Sequence, residues 1–247
     1  MSASKNLETQ GNFLFRYRSF LPILTIPIII VGLRKYGKLD HIIGERVEDF
    51  FEAFSLMITF SGLLLRAYVV GTTPKGTSGR NTKRQKAEHL NTTGLYSILR
   101  HPLYLGNYLI CLGLLLLTEN LATIIIVTLL YIIYYERIIF AEEAFLREKF
   151  GEQFTNWAQN TPMIIPKFSL WKPPERKFSI KEVLRREYTA LLGIAISFVA
   201  IKVLGHYFED GKIKMRMEWL IFILISLIIY ILLRSMKKYT KILNTNE

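Results

Sequence analysis

Residues 121–150 read LATIIIVTLLYIIYYERIIFAEEAFLREKF, and this stretch decides the class of fold. No Gly or Pro interrupts it, so it can form one continuous helix of about 45 Å at ~1.5 Å rise per residue. Its first part, through Phe140, is apolar enough for lipid, yet the whole outruns a hydrocarbon core of about 30 Å. The helix is therefore expected to project from the membrane. On the emergent part sit Glu136, Arg137, Glu142 and Glu143. Glu136 and Glu143 share a face, and Glu143 stands at i,i+4 from Arg147, so the two can pair. Two readings stay open here: a solvated helix end with surface salt bridges, or carboxylates for a cationic or amine-bearing ligand.

Outward from this helix the apolar residues fall in blocks rather than alternating stripes. Hydrophobic residues make up 51% of 247, aromatics 13%, and mean hydropathy is positive. Such blocks need lipid rather than a soluble core. Six are candidate spans: Phe20–Leu33, broken by Pro22 and Pro27; Phe50–Val70; Leu103–Leu117 and Leu121–Phe140, a hairpin turning at Thr118-Glu119-Asn120; and Tyr188–Leu204 with Met217–Leu233, a second hairpin. No small-residue cleavage site follows the first block, which reads as an anchor rather than a removed signal peptide. The expectation is an all-α, polytopic membrane helical bundle of about six transmembrane helices.

A net charge of +12 raises nucleic acid as a partner, so its placement matters. With the N-terminus cytoplasmic and six alternating blocks, Lys and Arg favour the cytoplasmic segments three to one. That is the positive-inside pattern, with both termini cytoplasmic, and it makes the charge a matter of topology and anionic lipid. No nucleic-acid partner and no metal site are expected. The single Cys111 lies within a span, so no intramolecular disulfide forms.

The hairpin's cytoplasmic ends bring together segments 71–102 and 141–187. The first closes on LRHPLYLGNYL, residues 99–109. Pro102 suits the first turn of a helix, with His101 at the cap. The free N–H groups of that helix start are then ready for a carboxylate or phosphate. His101, Tyr104 and Tyr108 follow helical spacing and line one face, while Gly106 leaves room for a neighbouring helix or a ligand. The plain alternative is a helix cap with tyrosines in the interfacial aromatic belt. After the long helix, FGEQFTNWAQNTPMIIPKF (150–168) breaks at Gly151 and stays extended between Pro162 and Pro166. Its Met-Ile-Ile reads as a segment returning to the membrane surface.

Taken in order, EHLNTTGLYSILRHPLYLG, a hairpin, EEAFLREKFGEQF and TPMIIP resemble the isoprenylcysteine carboxyl methyltransferase and phospholipid methyltransferase superfamily of membrane enzymes. The likeness runs over about residues 85–168. It implies methyl transfer from S-adenosyl-L-methionine at the cytoplasmic membrane face, with a cofactor pocket there. Carried over, the cofactor-binding residues are His89, Leu90, Asn91, Tyr96, His101, Pro102, Leu103, Tyr104, Glu142 and Glu143, and Glu143 with Arg137 are the catalytic candidates. Phe154 stands where the family has Tyr, and His89 lies five residues before Gly94 where the family often has six. The prenylcysteine enzymes carry an Arg four residues before the second Glu, where this chain has Ile139.

That last departure shifts the expected acceptor from prenylcysteine to a lipid phosphate, such as lipid A phosphate in a bacterial source. Arg80, Lys83, Arg84 and Lys86 form a basic cluster suited to an anionic headgroup, and Arg80, Lys83, Arg84 and Arg100 are the expected substrate-binding cations. The expected partner is a membrane lipid or lipidated acceptor. The chain divides into N-terminal membrane helices with a basic loop (1–84), a methyltransferase core (85–168) and a C-terminal hairpin with a basic tail (169–247). Rival readings are a phospholipid N-methyltransferase, a sterol-reductase-like enzyme using a nicotinamide cofactor, and a non-catalytic lipid-binding membrane protein.

Overall fold

The computed structural model describes residues 3–18, 21–36, 45–74 and 87–244. The basic cluster Arg80, Lys83, Arg84 and Lys86 lies outside the described residues. Among those described there are eight α-helices: α1 (Ala3–Tyr17), α2 (Ile26–Leu33), α3 (Glu45–Thr72), α4 (Pro102–Leu116), α5 (Leu121–Phe150), α6 (Glu152–Asn160), α7 (Ile180–Asp210) and α8 (Met217–Tyr239). They contain no strand, only an isolated bridge between Gly94 and Lys172.

Among the described residues, four helices are long and apolar enough to cross a membrane: Asp49–Thr72, Leu121–Phe150, Ile180–Asp210 and Met217–Tyr239. The segments Ile23–Leu33 and Pro102–Leu116 are shorter. Of the six expected spans, the first is a 3₁₀ turn, Leu21–Thr25, followed by only eight helical residues. Pro22 and Pro27 cost this segment two backbone donors. The third, α4, extends about 22 Å because it begins at Pro102 and ends at the hairpin turn. In that turn Glu119 adopts φ 53°. Asn120 Oδ1 then accepts from the Thr123 N–H at 3.1 Å, capping α5. From there α5 continues unbroken for 30 residues, as its lack of Gly and Pro requires.

Two helices lie where no span was expected. Helix α1 precedes the first apolar block, and α6 follows Gly151, whose φ of 52° breaks the chain after α5. Helix α7 starts eight residues earlier than the apolar run alone suggests. The cause is an N-cap: Ser179 Oγ accepts from the Glu182 N–H at 3.4 Å, while the Ser179 N–H bonds the Gly71 carbonyl at 2.8 Å. Gly211 at φ 70° closes the other end.

The chain forms two compact units. The first comprises Met1–Thr25, Thr72–Leu105 and Leu129–Phe178; the second Ile26–Gly71, Gly106–Thr128 and Ser179–Glu247. In the second unit α7 and α8 pack as an antiparallel pair. The buried core there is Leu33, Tyr36, Leu117, Phe198, Val199, Ile201 and Trp219.

Helices α3 and α4 approach along a seam of small residues. A Cβ on Gly106 would lie 2.7 Å from Arg66 Cγ and 3.0 Å from the Gly62 carbonyl oxygen; one on Gly113 would meet Thr59 and the Ser55 carbonyl. In lipid such close backbone approach replaces hydrophobic driving force with packing. Two buried polar clusters tie the helices further. Arg66 Nε and Nη2 each donate to Glu187 at 2.9 Å, and Arg66 also bonds Asn107. Lys202 is 1% exposed, donates to the Tyr36 hydroxyl at 2.7 Å and lies 3.2 Å from Glu52, whose other oxygen accepts from the Trp219 indole.

Candidate functional site

The first unit gathers the expected carboxylates and the Arg-His-Pro turn. Pro102 opens α4, and the His101 carbonyl accepts from the N–H groups of Tyr104 and Leu105 at 3.1 and 3.3 Å, so His101 holds the cap. Its side chain turns to α5. Nε2 is in hydrogen-bond contact with Glu143 Oε1 at 3.0 Å, and Nδ1 lies 3.8 Å from Glu142 Oε2. Arg100 Nη1 donates to the other Glu143 oxygen at 2.9 Å. Glu143 is thus buried between two cationic or donor groups, which is what a carboxylate withdrawn from water requires.

The pair of Glu143 with Arg147 that the spacing allows does not form. Arg100 and His101 occupy both carboxylate oxygens, while the Arg147 guanidinium rests over the Phe154 ring at 5.5 Å. Sequence spacing pointed to the nearest cation along the helix; the fold supplies two from a different segment, and burial makes those the stronger partners.

Around His101 runs a file of aromatic rings. Tyr104 stacks on the imidazole at 5.6 Å and 11°, Tyr135 follows at 4.6 Å, and Tyr131 stacks on Tyr135 at 4.2 Å. The Tyr104 phenol donates to Glu142, and the Tyr131 phenol donates to the Tyr104 carbonyl at 2.8 Å. Tyr96 lies close enough for the Glu142 charge to act on it. Burial pushes its phenol above the ordinary tyrosine range, and that charge adds to the effect, so Tyr96 is a neutral hydrogen-bonding group.

The strip before α4 is held by a brace formed after α6. Arg100 and His101 donate their backbone N–H groups to the carbonyls of Pro162 (2.9 Å) and Met163 (3.3 Å). Lys167 N–H bonds the Ile98 carbonyl at 3.0 Å, Gly94 N–H bonds Lys172 at 3.0 Å, and the Trp157 indole donates to the Tyr96 carbonyl at 3.1 Å. The apolar TPMIIP segment therefore does more than return toward lipid. It fixes the backbone on which Arg100 and His101 stand, although Ile165 itself is 80% exposed. Sequence reasoning missed Trp157 and these carbonyls because a backbone acceptor leaves no residue-type signature.

Of the expected site residues, Arg100, His101, Tyr104, Glu142 and Glu143 come together, with Tyr96 near Glu142 and Pro102 buried at the helix start. Leu90, Asn91 and Leu103 are half-buried; Asn91 Oδ1 accepts from the N–H and hydroxyl of Thr93 at 3.1 Å each. His89 is exposed and makes no side-chain bond among the described residues. Arg137 is half-buried, one turn before Ala141 on α5, and in no ion pair among the described residues.

Polar atoms here suit S-adenosyl-L-methionine. Arg100 Nε is buried without a protein partner, a donor left over for a carboxylate; Glu142 and the tyrosines suit an amino group and a sulfonium. Far from these residues in sequence, His206, Glu209 and Asp210 bring three ligand-type atoms within 4.8 Å of one another, with Asp210 already paired to Lys214.

The family model for phospholipid methyltransferases matches residues 54–153. The chain is 40% identical over 88 residues to a cobalt-zinc-cadmium resistance protein of Cupriavidus metallidurans, covering 36% of this chain and 40% of that one. It is 32% identical over 85 residues to the protein-S-isoprenylcysteine O-methyltransferase of Schizosaccharomyces pombe, covering 34% and 36%. With protein-S-isoprenylcysteine O-methyltransferase B of Arabidopsis thaliana it shares 30% identity over 143 residues, 57% of this chain and 72% of that enzyme. The match spans about two fifths of the metal-resistance relative's length. No solved structure matches the chain significantly. His101, Tyr104, Glu142 and Glu143 lie within residues 54–153, which the family model matches. The chain belongs to the isoprenylcysteine carboxyl methyltransferase and phospholipid methyltransferase superfamily of membrane proteins.

Proposed function

We propose that the protein is an S-adenosylmethionine-dependent methyltransferase acting on an anionic oxygen of a membrane lipid or lipidated acceptor at the cytoplasmic face. The observation that carries this reading is Glu143, buried and held by both Arg100 and His101, beside Glu142 and Tyr104. When bound, the cofactor supplies a methyl on a positively charged sulfur, which an acceptor oxygen takes as the C–O bond forms, the C–S bond breaks and its electron pair returns to sulfur.

The protein's own part is alignment and exclusion of water. Glu142 and Glu143 hold an amino group, the leftover Arg100 donor holds a carboxylate, and the tyrosines beside His101 cover the charged centre. A phosphate or carboxylate acceptor is ionised near neutral pH and needs no base. A lipid phosphate, such as that of lipid A, is placed ahead of prenylcysteine because Ile139, fully buried, offers no cation to a prenylcysteine carboxylate. The two shorter apolar helices complete six passages, with both termini and the site on the cytoplasmic side. The basic residues 80–86 draw the anionic headgroup. An amine acceptor is the second reading, favoured by the ring file Tyr104, Tyr135 and Tyr131, since aromatic faces attract ammonium groups.

The test is lipid mass spectrometry of cells with and without the protein, alongside calorimetry with S-adenosylmethionine. A species heavier by one methyl on a phosphate or carboxylate supports the reading; methylated amine lipid moves it to the second. Absence of cofactor binding by the folded protein overturns it.

A further inference from the structure

The N-terminal helix α1 docks on α5 within the first unit, next to the site. Gly11 sits against the Arg137 carbonyl and Ala141, where any side chain would collide, and the Tyr134 phenol donates to the Leu14 carbonyl at 3.4 Å. Phe15 is buried. Gly11, Leu14, Phe15 and Arg18 recur at three- and four-residue spacing, so this face of α1 and the turn that ends it present Arg18 on the docked side.

Arg18 has the properties of a binding cation. Its guanidinium lies 4.2 Å over the Phe15 ring, which fixes its direction. Its charge acts on Tyr104, Glu142 and Tyr134. No carboxylate among the described residues lies within ion-pair distance of it. Arg100 differs, because Glu143 already neutralises it. Directly after Arg18 the chain enters the apolar segment ending at Leu33, with Ile23 and Leu24 exposed as in a lipid-facing helix. A cation at such a junction stands at headgroup depth. Arg18 precedes residues 54–153, the part the family model matches.

We propose that Arg18 binds the anionic group, phosphate or carboxylate, of the methyl acceptor and so sets acceptor specificity. This rests on the reading above for the word acceptor, but the anion site itself does not depend on methyl transfer. A planar guanidinium held by a ring can grip two oxygens at once, which a lysine cannot.

The experiment uses the full chain in phosphatidylcholine nanodiscs, without cofactor, and two probes: short-chain phosphatidic acid and N-acetyl-S-farnesylcysteine. Calorimetry compares wild type with Arg18→Ala, Arg18→Gln and Arg18→Lys, and a second titration measures S-adenosylmethionine. Wild type is expected to bind one probe, identifying phosphate or carboxylate. Arg18→Ala and Arg18→Gln then weaken that probe about tenfold or more, and Arg18→Lys weakens it less, as loss of charged hydrogen bonds requires. S-adenosylmethionine affinity stays unchanged. Wild-type binding of neither probe, equal binding by wild type and Arg18→Gln, or a loss confined to S-adenosylmethionine each overturns the proposal. Arg18-dependent probe binding in a protein that binds no S-adenosylmethionine leaves this anion site standing and removes the methyltransferase reading.

Discussion

His101 and Glu143 meet at 3.0 Å across two helices, with Arg100 on the second carboxylate oxygen at 2.9 Å. This contact joins the start of α4 to the C-terminal part of α5. Glu143→Gln keeps the shape but removes the charge that both partners face. S-adenosylmethionine affinity is expected to fall about tenfold or more, a typical loss for a buried charged hydrogen bond. Arg147→Ala, which removes only a guanidinium resting on Phe154, should leave it unchanged. Equal losses in the two variants, measured by calorimetry, would show the pairing to be wrong.

The brace after α6 makes a second claim. Trp157→Phe deletes the indole donor to the Tyr96 carbonyl while keeping most of the packing. The expected cost is about 1 kcal/mol, with a lower melting temperature in detergent. Cofactor affinity should fall as well, because the strip carrying Tyr96 loosens. A melting loss with full cofactor affinity would separate the brace from the site.

The seam between α3 and α4 predicts a steric effect. Gly106→Leu must displace Arg66, Leu65 and the Gly62 carbonyl, all within 3.3 Å of an added Cβ. Overpacking of this kind costs about 1–3 kcal/mol. Thermal unfolding should show it, whereas Gly193→Ala, where an added Cβ meets nothing within 4 Å, should be neutral.

Within the second unit, Lys202 and Glu52 form a buried pair at 3.2 Å. Removing either alone strands the other, at about 3–5 kcal/mol. Lys202→Met combined with Glu52→Gln should therefore be less destabilising than the sum of Lys202→Met alone and Glu52→Gln alone. A double variant as unstable as the sum of both single changes would mean that the pair is not coupled.

Much of this was legible in the chain. The unbroken length of α5, the cap at His101 and the turn at Glu119-Asn120 follow from local chemistry: absence of helix breakers, a proline at the first helical position and a polar turn. Clustering of Arg100, His101, Tyr104, Glu142 and Glu143 followed from motif order across a hairpin. Other features had no local signature. Apolar periodicity in lipid says nothing about where a helix starts, so Ser179, an N-cap in a polar stretch, leaves no mark in it. Helix α1 carries only mixed polarity and shows its role through Gly11, which gains meaning once Ala141 is opposite it. Spacing along one helix offers Glu143 a partner in Arg147, while burial selects Arg100 and His101 from another segment.

Lys202 has one more consequence, for biogenesis. An unpaired ammonium near the end of the apolar run Tyr188–Leu204 opposes insertion, by less than the roughly 2.5–3.5 kcal/mol that a charge costs at a helix centre. Helix α7 therefore enters the bilayer at a disadvantage that α8, the most apolar of the four long helices, does not share. The counter-charge on Glu52 and the hydroxyl of Tyr36 belong to segments synthesised long before it. The groups that neutralise and hydrogen-bond Lys202 are thus already synthesised when α7 emerges.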